Sequence, residues 1–261
     1  MTQTQLPYEL LTPVLRLVGR DWDFPLALTH THFAEIITQR GGTAKYSMPC
    51  RSVVHSIALA KWTYANVPRG TYSTTICVRS AEYGQLEVLQ WARANNFPWD
   101  YETCAVAAEN GHLSVLQWAR ANGCPWCEYT CSMAARNGHL EVLQWARANG
   151  CSWDDITCAV AAESGHLAVL QWARANRCSW RETTCSLAAR NGHLEVLQWA
   201  RANDCPWDWS TCAYAARNGH LAVLEWARAN WCPWNERTCL FVRWYGHHEV
   251  FRWAIANGCP Y

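Results

Sequence analysis

A Thr-Cys pair at Thr130-Cys131 recurs at Thr103, Thr157, Thr184, Thr211 and Thr238, always at the same interval. An earlier copy, with Ile76 in place of threonine, opens just before Cys77, and seven copies in register fill residues 76–261. This period, of about 27 residues, constrains the fold more than any other feature of the chain. So short a unit cannot offset the entropy of its own ordering, so the copies must stack and bury their apolar faces against neighbours.

Each regular copy reads as two helices. In the second copy the pattern places helix one at about Thr103–Glu109, ended by Asn110-Gly111, where glycine supplies the left-handed residue that stops a helix. Helix two follows at about His112–Asn122. At 100° per residue, Val115, Leu116, Trp118 and Ala119 form a wide apolar arc, while Ser114, Gln117 and Arg120 face away. Leu113, Val115 and Leu116 are the expected core, each contributing roughly 1.5–3 kcal/mol on burial. Ala107-Ala108 lets the helices approach closely. Trp126 lies in the connecting loop, matched by Trp99, Trp153, Trp180, Trp207 and Trp234, and is expected to pin that loop to the stack. The expected fold class is therefore all-α, a solenoid of helix-turn-helix repeats.

The array is preceded by residues 6–40, in which Leu10, Val14 and Leu17 recur at helical spacing behind Pro7. Asp21 and Asp23 suit the cap of a second short helix, and Phe33, Ile36 and Ile37 mark a third. Three short helices in so small a segment bury little core alone and need something to lean on. After Gly41-Gly42 a worn copy of the repeat follows, in which Ile57–Trp62 imitates Leu86–Trp91.

Charge excludes little by itself: the formal net charge is +1, with 15 Lys/Arg against 17 Asp/Glu from residue 76 onward and 7 against 4 before it. Neither balance is that of a nucleic-acid or membrane-surface binder. MTQTQLPYEL lacks the basic-then-apolar run of a signal peptide, and no stretch approaches the ~18 apolar residues of a membrane span. The fifteen cysteines then read as reduced thiols, and the expected location is cytoplasmic or nuclear.

Motifs for chemistry are weak. Cys124-Pro-Trp-Cys127 with Cys131 resembles a metal motif, but Cys124 and Cys131 belong to columns present in the other copies, and zinc needs a fourth ligand. His112, His139, His166, His193, His220 and His247 form a column after the turn glycine, with no carboxylate or nucleophile column beside it. Their expected role is a hydrogen bond at the start of helix two. Arg93, Arg120, Arg147, Arg174, Arg201 and Arg228 form a stripe on the outward helix face, read as a solvated surface; the alternative is a phosphate-tracking strip. No phosphate loop, nucleophile elbow or paired catalytic carboxylates appear. The expectation is no enzyme, no cofactor and no metal.

Two family resemblances bear on organisation. The pattern AAxxGHLxVLxW, as at Ala107-Ala108, Gly111-His112-Leu113, Val115-Leu116 and Trp118, resembles the ankyrin repeat over residues 76–261. The unit is shorter than the ankyrin's, about 27 residues against about 33. TCxxAA also stands where ankyrins have TPLHxAA, so the helices carry over and the β-hairpin finger does not follow. Leu6-Pro7, Glu9-Leu10-Leu11, Val14, Asp21 and the Leu28/Phe33 end resemble an F-box, with Thr29-His30 and Phe33 where that family carries Arg and Trp. The alternative is an ordinary helical cap. The resulting domain scheme is an F-box-like segment at 1–44, a degenerate capping repeat at 45–75, and seven ankyrin-like repeats at 76–261, the last acting as a C-terminal cap with Arg243 and Ile255 off pattern.

Comparing the copies separates framework from variation. AARNGHLEVLQWARAN is identical at 134–149 and 188–203, whereas helix one, its approach loop and the residue after Ala-Asn vary. A constant framework carrying a mixed aromatic and charged set suits protein recognition. The candidate partner-binding residues are Tyr101, Tyr129, Met133, Ile156, Arg177, Trp209, Tyr214, Trp231 and Arg237. The F-box resemblance implies adaptor docking by Leu6, Pro7, Leu10, Leu11 and Val14. The expected function is a protein–protein interaction scaffold, serving as substrate receptor of a cullin-type ubiquitin ligase through residues 1–40. Alternatives are an ankyrin-like adaptor without a ligase link, or nucleic-acid binding by the arginine stripe.

Overall fold

The computed structural model describes Ile57, Ala60, Lys61 and residues 75–260. The chain divides into two compact units, Met1–Val67 and Pro68–Tyr261. In the first, Ile57, Ala60 and Lys61 are helical and Ala60 is buried. Leu6, Pro7, Leu10, Leu11 and Val14 lie outside the described residues, as does most of the worn copy at 45–75.

The second unit is a run of helix pairs, with no strand among the described residues. The first member of each pair is α1 (Ile76–Glu82), α3 (Tyr101–Glu109), α5 (Glu128–Arg136), α7 (Asp155–Glu163), α9 (Glu182–Arg190), α11 (Trp209–Arg217) and α13 (Glu236–Tyr245). The second member is α2 (Leu86–Ala94), α4 (Leu113–Ala121), α6 (Leu140–Ala148), α8 (Leu167–Ala175), α10 (Leu194–Ala202), α12 (Leu221–Ala229) and α14 (His248–Ala256). Each even helix packs on the odd helix before it, and the odd helices pack on one another in chain order. The stack is thus carried by helix one.

Helix one begins two residues earlier than its apolar pattern indicates, because the cap lies upstream. Asp100, Asp154, Asp208 and Asn235 each accept a hydrogen bond from the backbone N–H two residues on, at 2.9–3.1 Å, which satisfies one orphan donor of the first turn. Both helices of a copy end in the same device. At the end of α3, His112 N–H bonds Ala107 C=O at 2.8 Å and Gly111 N–H bonds Ala108 C=O at 3.3 Å; at the end of α4, Cys124 and Gly123 do the same to Ala119 and Arg120. This pair of bonds requires a left-handed residue between helix and exit.

The core follows from the columns. Val115, Leu116 and Ala119 of helix two, and Cys104, Ala107 and Ala108 of helix one, are sealed from solvent, as are their equivalents in the other inner copies. Leu113 is only half-buried, so its share of the burial energy is smaller than expected. The alanines keep helices close, and the aliphatic residues of helix two fill the groove so formed.

Twelve of the cysteines form six couples, each joining helix one to the loop that follows helix two of the same copy, as Cys104 with Cys124 and Cys158 with Cys178. Within a copy the loop thiol donates to the cap carbonyl of helix one: Cys124 to Asp100 at 3.3 Å, Cys178 to Asp154 at 3.2 Å. The hydrogen bond with Cys104 and then burial push the Cys124 thiol far up, and Cys158 is raised in the same way by Cys178. Such thiols stay protonated and act as small packing groups. The fourteen described cysteines are free, and only Cys127 among them is half-exposed.

Candidate recognition surface

The helix-two arginines correct the expectation of a solvated outward stripe. Arg120 donates from Nη1 to the Cys124 carbonyl, four residues on, and its guanidinium lies 4.1 Å from the centre of the Trp126 ring. Trp126 in turn meets Trp145 of the next helix two edge-on at 5.9 Å. The arrangement repeats in six copies, with arginine-to-ring distances of 4.0–4.3 Å and ring separations of 5.7–6.1 Å. Each arginine is therefore a clamp that holds a loop and links consecutive copies. Its flat, delocalised cation suits both a carbonyl and a ring face. The loop tryptophan pins the stack as expected; the arginine that fixes it lay outside the apolar arc and gave no sign of doing so.

The histidine column is corrected as well. His112 does not cap its own helix; its Nε2 lies 3.0 Å from the carbonyl of Glu82, thirty residues back at the end of α1. His220 and His247 make the same contact to Arg190 and Arg217, each at 3.0 Å. The ring also occupies the place where a side chain on the preceding turn glycine would stand, 2.8 Å from a Cβ built on Gly84. The column is a clip between copies.

With these framework residues accounted for, the variable positions stand apart. The first turns of helix one and the loops leading into them lie on one edge of the array. There Tyr101, Tyr129 and Ile156 are 52%, 56% and 53% exposed. Tyr101 is the first residue of α3, whereas Tyr129 and Ile156 are the second residues of α5 and α7, so the three occupy two adjacent columns. Trp209 is half-buried, with the Arg237 guanidinium of the next copy 5.3 Å from its ring centre. Of the nine candidates, this is the one pair for which the structure gives a direct contact. Met133 and Tyr214 are half-buried in mid-helix, one turn before the end of α5 and α11, away from the loop edge. Trp231 and Arg177 are exposed just past the ends of α12 and α8.

Trp231 and Arg177 share an unusual backbone. The residue after each Ala-Asn pair is left-handed, and where it is not glycine it is Asn96, Arg177, Asp204 or Trp231, with φ of 61–66°. Glycine at Gly123 and Gly150 has nothing within 4 Å of a built Cβ, so a side chain in this column projects into open space. Tryptophan there carries a conformational cost of about 1 kcal/mol and is 88% exposed. Folding gains nothing from it.

A second exposed group lies outside the candidate residues. Leu240, Trp244 and Tyr245 on α13 are 36%, 71% and 50% exposed. Aligning the copies reveals them: from Ala105 onward Leu240 stands in a column of alanine and serine, and Trp244 in a column of Glu and Arg.

No metal-binding group of three or more ligands and no helix long and apolar enough to cross a membrane occur among the described residues. No protein-family model and no curated protein matches the chain.

Proposed function

We propose that this chain is a protein–protein interaction scaffold, an ankyrin-like array that holds a protein target along its loop edge. The observation that carries this reading is Trp231: a large aromatic kept in a left-handed conformation, almost wholly in solvent, where glycine would serve the fold better. Exposed aromatics that cost stability are the residues from which binding energy is drawn. Tyr101, Tyr129 and Ile156 extend the same edge over three further copies, and Arg177 and the Arg237–Trp209 pair add charge. Met133 and Tyr214, in mid-helix, lie off this edge.

In the fuller form of the reading, residues 1–40 dock a cullin-ligase adaptor through Leu6, Pro7, Leu10, Leu11 and Val14, and the array delivers the target, in cytosol or nucleus. That part rests on the order of residues in the sequence. Nucleic-acid binding by the arginine stripe loses its support, since those arginines hold carbonyls and rings. The reading assigns the chain no enzymatic activity.

The test compares partners retained by the intact chain with those retained by Trp231→Gly and by a Tyr101→Ser/Tyr129→Ser/Ile156→Ser variant. Both should lose the target and keep their helicity. Leu10→Ala/Leu11→Ala should lose only the adaptor. Retention of the target by both edge variants would show that the wrong surface has been chosen.

A further inference from the structure

The exposed face of α13 has a chemistry of its own. Helix periodicity places Glu236, Leu240, Arg243 and Trp244 within about 100° of arc, and all four are exposed. In the five copies before it the equivalent columns are closed. Those of Leu240 are Ala105, Ser132, Ala159, Ser186 and Ala213, all at most 7% exposed; those of Arg243 are Ala108, Ala135, Ala162, Ala189 and Ala216, all at 0%. Consecutive helix-one members pack on each other, and these small residues are sealed. Arg243 is too large and too polar for that close approach, so α13 does not present the surface on which a regular copy stacks. What it presents instead is an apolar centre at Leu240 between an acid at one end and a base at the other, with Trp244 beside the base.

We propose that this face pairs with the same face of a second copy of the chain, through a two-fold axis near Leu240. The charge order selects the occupant. Glu236 and Arg243 stand two helical turns, about 10 Å, apart along the helix. When two such helices cross antiparallel about Leu240, Glu236 of each copy comes beside Arg243 of the other, and the contact is made twice. A parallel arrangement sets like charges together. Antiparallel crossing also opposes the helix dipoles. A self-complementary patch of this kind is what a two-fold interface requires. Trp244 supplies the large aromatic anchor and is 71% exposed until covered. The pairing uses none of the residues named for holding the target, so either reading can fail without the other.

The test measures the particle mass of the full chain by sedimentation equilibrium over a range of concentrations. The chain should associate reversibly from 29.7 kDa to twice that mass. Leu240→Asp and Trp244→Asp should each abolish the dimer without loss of helicity. Glu236→Arg and Arg243→Glu should each weaken it by about tenfold or more, and the double reversal Glu236→Arg/Arg243→Glu should restore it. That rescue distinguishes the paired charges from a general effect on folding. The monomer mass at every concentration, a dimer indifferent to Leu240→Asp, or reversals that fail to rescue each other would overturn the proposal. So would a monomer that holds a different protein through Leu240 and Trp244.

Discussion

The guanidinium of Arg147 lies 4.3 Å from the centre of the Trp153 ring, and the same arginine donates to the carbonyl of Cys151. Trp153 reaches on to Trp172, 5.7 Å away and edge-on. One side chain on α6 thereby holds its own loop and, through that loop, the next helix two.

Charge alone will not replace this contact. Arg147→Lys keeps the cation but loses the flat stack and the fork of donors, and it should lower stability by about 1 kcal/mol. A double-mutant cycle with Trp153→Leu should give a coupling of about 0.5–1 kcal/mol by urea denaturation. Gln144→Ala, at an exposed site on the same helix, should change stability by under about 0.5 kcal/mol. Equal losses at Arg147 and Gln144 would refute the clamp.

Two glycines of similar backbone should respond differently to alanine. Gly150 has φ of 83° and nothing within 4 Å of a built Cβ; Gly192 has φ of 78° and meets the His220 ring at 2.8 Å. Gly150→Ala should cost about 1 kcal/mol, the penalty of the left-handed conformation alone. Gly192→Ala adds displacement of the His220 clip and should cost about 2–3 kcal/mol. Adding His220→Ala to Gly192→Ala should cause little further loss, so the two changes will be far from additive. Thermal melting of Gly150→Ala, Gly192→Ala, His220→Ala and the double variant decides it.

The extent to which all this was legible depended on how far away the partner lay. Both helices of each copy could be read because their apolar residues recur at helical spacing within a single copy. Apolar spacing points to Thr103 rather than Tyr101 as the start of α3, because the capping Asp100 lies outside that spacing. Arg120 looked solvent-facing on a helical wheel, which cannot show a loop tryptophan folding back over it. His112 looked like a local cap because its acceptor, the Glu82 carbonyl, belongs to the preceding copy. The left-handed column at Trp231 was visible in outline, since the same position is glycine in Gly123 and Gly150, but its backbone angle was not.

Buried threonines give a sharper test of packing. Oγ1 of Thr103, Thr130, Thr157, Thr184, Thr211 and Thr238 is sealed and without a hydrogen-bond partner. Replacing a buried, unpaired hydroxyl with a methyl of the same shape removes a desolvation cost of about 1 kcal/mol or more. Thr184→Val should therefore be neutral or stabilising, and Thr184→Ser, which keeps the hydroxyl and loses the methyl, should be destabilising by about 1 kcal/mol. A marked loss in Thr184→Val would mean that the hydroxyl has a partner.

Alkali should loosen the first copy. Burial pushes the Cys77 thiol up from 9.0 to about 11, so the unfolded chain releases that proton at lower pH than the folded one. Its contribution to stability is complete below pH 9 and is lost as the pH rises through about 11. Cys77→Ala should flatten the decline of stability across that window, as followed by denaturation at a series of pH values. An unchanged slope would show that Cys77 does not titrate on unfolding.

The clips and clamps each join one copy to the next and never skip a neighbour. Under tension applied at the two ends of the array, no single bond therefore bears on the whole. Each copy would yield in turn, releasing roughly 90 Å of chain, and would re-form when the load fell. The same contacts that hold the copies in order would make this stretch of chain an elastic element, able to lengthen in steps and recover.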